Sequence, residues 1–180
     1  MQAKTQRGFT LIELVVVVLI TAILVGLGLP SLRATIDRNA IQSEAKRIAT
    51  TINLARSQAI NNRVVVTLER ISTTAGDWSA GWIDFIDSAG DGITSFNAAT
   101  DTLLGNHVVT TQQLTIRDLG NAPTFISFTM FGRLNQAGPV LVAVCDTTLS
   151  DRVDGSLITV NLVGRVTVTT ILAANKAAQC

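Results

Sequence analysis

The sequence predicts an α+β fold: a long N-terminal helix, membrane-spanning in its first half, packed on a C-terminal antiparallel β-sheet domain. Three observations predict it. Phe9 to Leu29 is an apolar run broken by one charge, Glu13. Ile41, Ala45, Ile48, Ile52, Ala55 and Ala59 then recur at steps of three and four. Beyond Arg63 the pattern changes to short runs rich in β-branched and aromatic residues.

The apolar run has the length of a bilayer core, because 21 residues of helix rise about 31 Å. A secretory signal would carry a shorter apolar core and a small-x-small cleavage site. This run is instead followed by Pro30-Ser31-Leu32-Arg33. Lys4 and Arg7 precede it, and the positive-inside tendency puts that end in the cytoplasm. A carboxylate near the start of such a run is costly in lipid and wants a reason. Glu13 has two: it reaches interfacial water or favours the helix N-terminus, or it pairs with a cation in a low-dielectric setting, where ion pairing is strong.

The stripe from Ile41 to Ala59 has the 3.6-residue period of a helix that buries one face. Glu44, Lys46, Arg47, Asn53, Arg56 and Gln58 lie between as a solvated face. Pro30, after Gly26 and Gly28, is expected to kink or loosen the helix because proline lacks an amide donor. Asn61-Asn62 is the expected end.

Six β runs follow: Val64 to Leu68, Trp82 to Ile86, Phe125 to Phe131, Val140 to Val144, Leu157 to Val163 and Val166 to Ile171. Ile126, Phe128 and Met130 alternate with Ser127 and Thr129, and Ile158, Val160 and Leu162 with Thr159 and Asn161. Each such strand is expected to bury one face against the helix stripe. Gly164 marks a hairpin turn.

Charge is uneven. Residues 33–70 hold seven Lys/Arg against three acids, and residues 71–180 hold five against nine. The domain is therefore not a basic nucleic-acid surface overall. His107 is the lone histidine, and no nucleophile-elbow or metal-ligand spacing accompanies it, so catalysis finds little support. Asp87 to Gly92 lacks a complete calcium-loop pattern and reads as a polar turn. Trp78 and Trp82 read as core or loop anchors. No cofactor is expected.

Gly8 followed by Phe9-Thr10-Leu11-Ile12-Glu13 resembles the processing site of type IV prepilins and type II secretion pseudopilins. Gly81-Trp82-Ile83-Asp84-Phe85, Phe131-Gly132-Arg133 and Gly164-Arg165-Val166 are similar to the GspH/FimT subgroup of minor pilins and pseudopilins. The resemblance implies a prepilin leader over 1–8, a helix over 9–62 with a transmembrane half at 9–29, and a β-rich globular domain over 63–180. It implies that a prepilin peptidase cuts between Gly8 and Phe9, that Phe9 is N-methylated, and that Glu13 pairs with a neighbouring subunit's amine during assembly. The implied partners are that peptidase, other major and minor pilins or pseudopilins, and inner-membrane lipid. The implied location is the bacterial inner membrane, single-pass with the C-terminal domain periplasmic, and then a pilus or pseudopilus.

The function implied is a minor pilin near the tip of a type IV pilus. A type II secretion minor pseudopilin shares every N-terminal feature. A DNA-binding pilin is the third reading, because some FimT relatives carry Gly-Arg-x-Arg; here Gly164-Arg165-Val166-Thr167 lacks the second arginine. Arg133 and Arg152 would have to join Arg165 in space, and a plain hairpin arginine explains Arg165 as well. In the extracytoplasmic setting, Cys145 and Cys180, the only cysteines, are most simply a disulfide, with free thiols or an intermolecular bond as alternatives.

Overall fold

The computed structural model describes residues 9–88, 95–110, 114–120, 124–147, 154–172 and 180, with backbone alone for 26–34. Its one long helix, α1, runs Leu11–Asn62 and is continuous through Pro30. The chain forms two compact units, Met1–Ile36 and Asp37–Cys180. In the first, the apolar side chains from Phe9 to Val25 are exposed. Among the described residues no helix is long and apolar enough to cross a membrane. The apolar run in the sequence continues to Leu29, so only part of it falls among the side chains described.

In the second unit, α1 buries the stripe read from the sequence: Ile41, Ala45, Ile48, Ile52, Ala55 and Ala59, joined by Ala49. A small-residue face of this kind lets a helix lie close on a sheet. The same unit holds eight strands: β1 (Val65–Arg70), β2 (Gly81–Asp87), β3 (Thr102–Val108), β4 (Leu114–Asp118), β5 (Phe125–Phe128), β6 (Val140–Asp146), β7 (Gly155–Val160) and β8 (Val166–Ile171). All pairings are antiparallel. The expected class, a helix on an antiparallel β domain, is what the structure shows.

Four details differ from the expectation. There are two four-stranded sheets, ordered β3-β2-β1-β5 and β4-β6-β7-β8, rather than one. Strands β3 and β4 are additional. The Phe125 run ends at Phe128, and the Leu157 run ends at Val160, because both chains turn there. Strand β5 also buries both faces instead of one, as does β1 beside it. Val66, Leu68, Ile126 and Phe128 fill one side; Thr67 and Ser127, also buried, lie on the other and bond to each other at 3.0 Å. That second side is covered from the β2–β3 connection, where Phe96 packs edge-on against Phe85 with centroids 5.3 Å apart.

The two sheets are joined through backbone. Trp78 N–H donates to the Ile116 carbonyl at 2.8 Å and Asp118 N–H to the Gly76 carbonyl at 2.9 Å. Asp77 organises the connection that does this. Its carboxylate accepts from Ser79 N–H at 2.9 Å and from the Ser72 hydroxyl at 3.0 Å. Partial burial pushes this carboxyl up, but those bonds and the Arg117 charge outweigh it and hold it below the ordinary carboxylate value. A carboxyl lowered by folding stabilises fully above its unfolded pKa, and that contribution is lost as pH falls through the lowered folded value. Asp77→Asn is therefore expected to lower the melting temperature at neutral pH and to converge with the parent under strong acid, measured by circular dichroism.

Candidate functional site

The N-terminal segment begins where α1 is capped. Thr10 Oγ1 accepts from Glu13 N–H at 3.3 Å, and the Thr10 carbonyl accepts from Leu14 N–H at 3.3 Å. Thr10-Leu11-Ile12-Glu13 has the Thr-x-x-Glu spacing of a capping box, a signal that could have been read from the sequence. Glu13 is exposed, and among the described residues no ion pair reaches it. Its carboxylate lies in the first turn, where the helix field favours negative charge. Gly8 lies outside the described residues.

Cys145 and Cys180 are joined by a disulfide with Cα atoms 6.1 Å apart, inside the ordinary range for such a bond. Cys145 lies on β6 in a small apolar cluster with Ala143 and Ile171, against which Leu119, Leu157 and Cys180 pack. The register places Ala143 opposite Arg117 and Leu157, and Cys145 opposite Thr115. The bridge therefore fastens Cys180 to one face of the second sheet.

Of the three arginines considered for nucleic acid, Arg133 and Arg165 are both exposed, and the structure brings their turns together. They are joined by the Leu134 N–H, which donates to the Leu162 carbonyl at 3.1 Å, and by Arg56, on α1. Its Nε donates to the Gly132 carbonyl at 2.8 Å and its Nη2 to the Val163 carbonyl at 3.1 Å. Gly132 and Gly164 sit at φ 71° and 79°, a region that favours glycine. A Cβ on Gly164 would strike the Gly132 carbonyl oxygen and the Arg56 side chain. Arg152 lies outside the described residues, as do the central residues of the Asp87 to Gly92 loop.

Arg56 stood in the sequence as a surface cation; its bonding role was missed. Loss of two charge-assisted bonds, each worth about 1.5–3 kcal/mol, predicts that Arg56→Ala lowers stability by about 3 kcal/mol, the low end of their sum because Arg56 is only half-buried. Arg56→Lys is expected to restore little, because one ammonium lacks the fork that reaches both carbonyls. Urea unfolding of both variants tests this.

His107 belongs to a separate cluster. Its Nε2 lies 2.7 Å from Asp84 Oδ1, and its ring stacks on Trp82 with centroids 5.5 Å apart. Arg47, held by Glu44, lies 4.6 Å above the Trp82 ring. Trp82 and Trp78 are both buried, as core anchors should be. The cluster ties α1 to β2 and β3, and a Cβ on Gly105 would crowd both Asp84 and His107.

Against known proteins, residues 44–164 match the family described as Type II transport protein GspH, two thirds of the chain. The chain belongs to the GspH family. Residues 3–29 of this GspH-family protein also match the Prokaryotic N-terminal methylation motif. Over 83 residues it is 37% identical to the pilin-like protein PilA1 of Thermus thermophilus, a match covering 46% of this chain and 49% of that protein. The match thus spans about half the length of that curated relative.

Among solved structures, the GspH-family chain is similar to the type IV minor pilin FimU of Pseudomonas aeruginosa, with TM-score 0.58, 23% identity and coverage of 73% of this chain and 90% of that one. It is also similar to the minor pseudopilin EpsH of the Vibrio cholerae type 2 secretion system, with TM-score 0.51, 12% identity and coverage of 72% and 95%. At these identities the likeness concerns the fold.

Proposed function

We propose that this chain is a minor pilin: a structural subunit, not an enzyme, incorporated near the tip of a type IV pilus. The observation that carries the proposal is the union, in one chain, of the methylation motif over 3–29 with a GspH domain over 44–164. In this reading a prepilin peptidase removes residues 1–8 and Phe9 becomes the N-methylated first residue. The helix from Phe9 to Leu29 holds the subunit in the inner membrane, with residues 63–180 on the periplasmic side, until it passes into the filament. The exposed apolar residues from Phe9 to Val25 support this, since a surface of that size is stable only against lipid or neighbouring helices. Glu13, four residues into the mature chain, pairs with the terminal amine of an adjacent pilin.

A second reading, minor pseudopilin of a type II secretion system, is favoured by the family description and by the likeness to EpsH. Deletion separates the two. Loss of surface pili and twitching with secretion intact is expected; loss of secreted enzymes with normal twitching would overturn the pilus assignment. DNA capture is less well supported, because Arg165 is followed by Val166 and Thr167, and a single phosphate contact releases little counterion.

A further inference from the structure

Two five-residue turns, Thr129 to Arg133 and Asn161 to Arg165, are built to one plan. In both, the glycine N–H donates to the first residue's carbonyl at 2.8 Å, and the first residue's N–H donates to the arginine carbonyl, at 2.9 and 3.1 Å. In both, the arginine N–H donates to the first residue's side-chain oxygen, Thr129 Oγ1 at 3.3 Å and Asn161 Oδ1 at 2.8 Å. The sequences agree in type, Thr-Met-Phe-Gly-Arg and Asn-Leu-Val-Gly-Arg. Turn centres ordinarily take polar residues and glycine. Here Met130, Phe131, Leu162 and Val163 occupy them, exposed by 46%, 76%, 43% and 58%.

Arg56 locks the turns side by side, and the Ile60 side chain lies against Gly132. The product is one braced platform with four apolar side chains at its tips and a cation immediately after each glycine. Neither pentapeptide contains Asp or Glu. Among the described residues no ion pair engages Arg133 or Arg165.

We infer that the paired turns are a docking surface for an anionic lipid bilayer. Apolar tips with cations set back from them match the polarity of a bilayer edge, where acyl chains lie beneath phosphates. The charge is complementary, and the bracing by Arg56 means little ordering entropy is lost on docking. A single-stranded nucleic acid would call for successive stacking rings, and Phe131 is the only aromatic residue in the two turns. The inference goes beyond the filament assignment and holds for a pilus or a pseudopilus alike.

The test uses the full chain with its apolar helix held in a zwitterionic nanodisc on a sensor surface. The probes are phosphatidylcholine vesicles with and without about one third phosphatidylglycerol. Anionic vesicles are expected to be captured preferentially. Each basic residue near an anionic surface contributes about fivefold, so Arg133→Gln with Arg165→Gln should weaken capture about 30-fold. Phe131→Trp should gain fluorescence quenching by lipids brominated on their acyl chains, whereas buried Trp78 and Trp82 stay unquenched. Equal capture of both vesicle types, or undiminished capture by the double variant, would overturn the assignment. So would tighter binding of a short single-stranded oligonucleotide than of anionic vesicles.

Discussion

Glu13→Ala protein is expected to fold and melt like its parent, yet to fall in sheared filaments by roughly two to three orders of magnitude. The first half follows from exposure: Glu13 is solvent-facing and outside the compact unit Asp37–Cys180. The second follows from the proposed pairing with a neighbour's amine, which the substitution would break in a low-dielectric setting. The partner amine is left buried and uncompensated, at about 3–5 kcal/mol. The Thr10 cap offers a competing explanation, in which the glutamate matters to the helix start and not to a neighbour. Glu13→Gln separates the two, since an amide still completes a capping box but carries no charge. Equal loss from both variants supports the pairing; normal incorporation of the glutamine variant, measured by immunoblot of sheared filaments, refutes it.

Cys145→Ser is expected to lower the stability of the β domain by about 4 kcal/mol, the loop-entropy value for a bridge of sequence separation 35. For a domain of this size that corresponds to roughly 10–15 °C in melting temperature. Two effects reinforce each other. The bridge restricts the unfolded chain, and it fastens Cys180 onto the face built by Ala143, Leu157 and Ile171. Opening it would also bring a polar hydroxyl into an apolar cluster. Thermal unfolding of the parent with and without reductant should show the same displacement, and a shift under a few degrees would contradict this account.

The legible parts of the fold were those whose signal is local. The helix stripe from Ile41 to Ala59 is a period within one element, and every one of its residues is buried. The cysteine pairing was legible because two cysteines leave one intramolecular choice. Strand β3 was not, because Thr102 to Val108 contains Gly105 and lies at a sheet edge, so no alternation of burial marks it. Strand β4 has alternation, but over five residues ending in Arg117 and Asp118. The buried Thr67 and Ser127 run against pattern because Phe96, far along the chain, contributes to the cover over that face. Strand partnership was also hidden: β1 lies between β2 and β5, and nothing in Val65 to Arg70 names them.

The same reasoning applies to the paired turns. Gly164 was readable as a turn residue, and Gly-Arg as a motif. That the two Gly-Arg steps meet was not readable, since Arg56 reaches acceptors 76 and 107 residues away. Arginine on the polar side of an amphipathic helix usually signals solvent. Its conversion into a structural clamp depends on the Gly132 and Val163 carbonyls, in two turns with left-handed glycines, which meet only once the sheets have assembled.

The N-terminus of the mature protein tests the central claim most directly. Purified from membranes and analysed by intact mass and terminal peptide sequencing, the chain should begin at Phe9 and carry one methyl group on its amine. A chain that begins at any other residue, or whose Phe9 amine is unmodified, would contradict the account and leave a β domain on an apolar tether with no processed amine for Glu13 to meet.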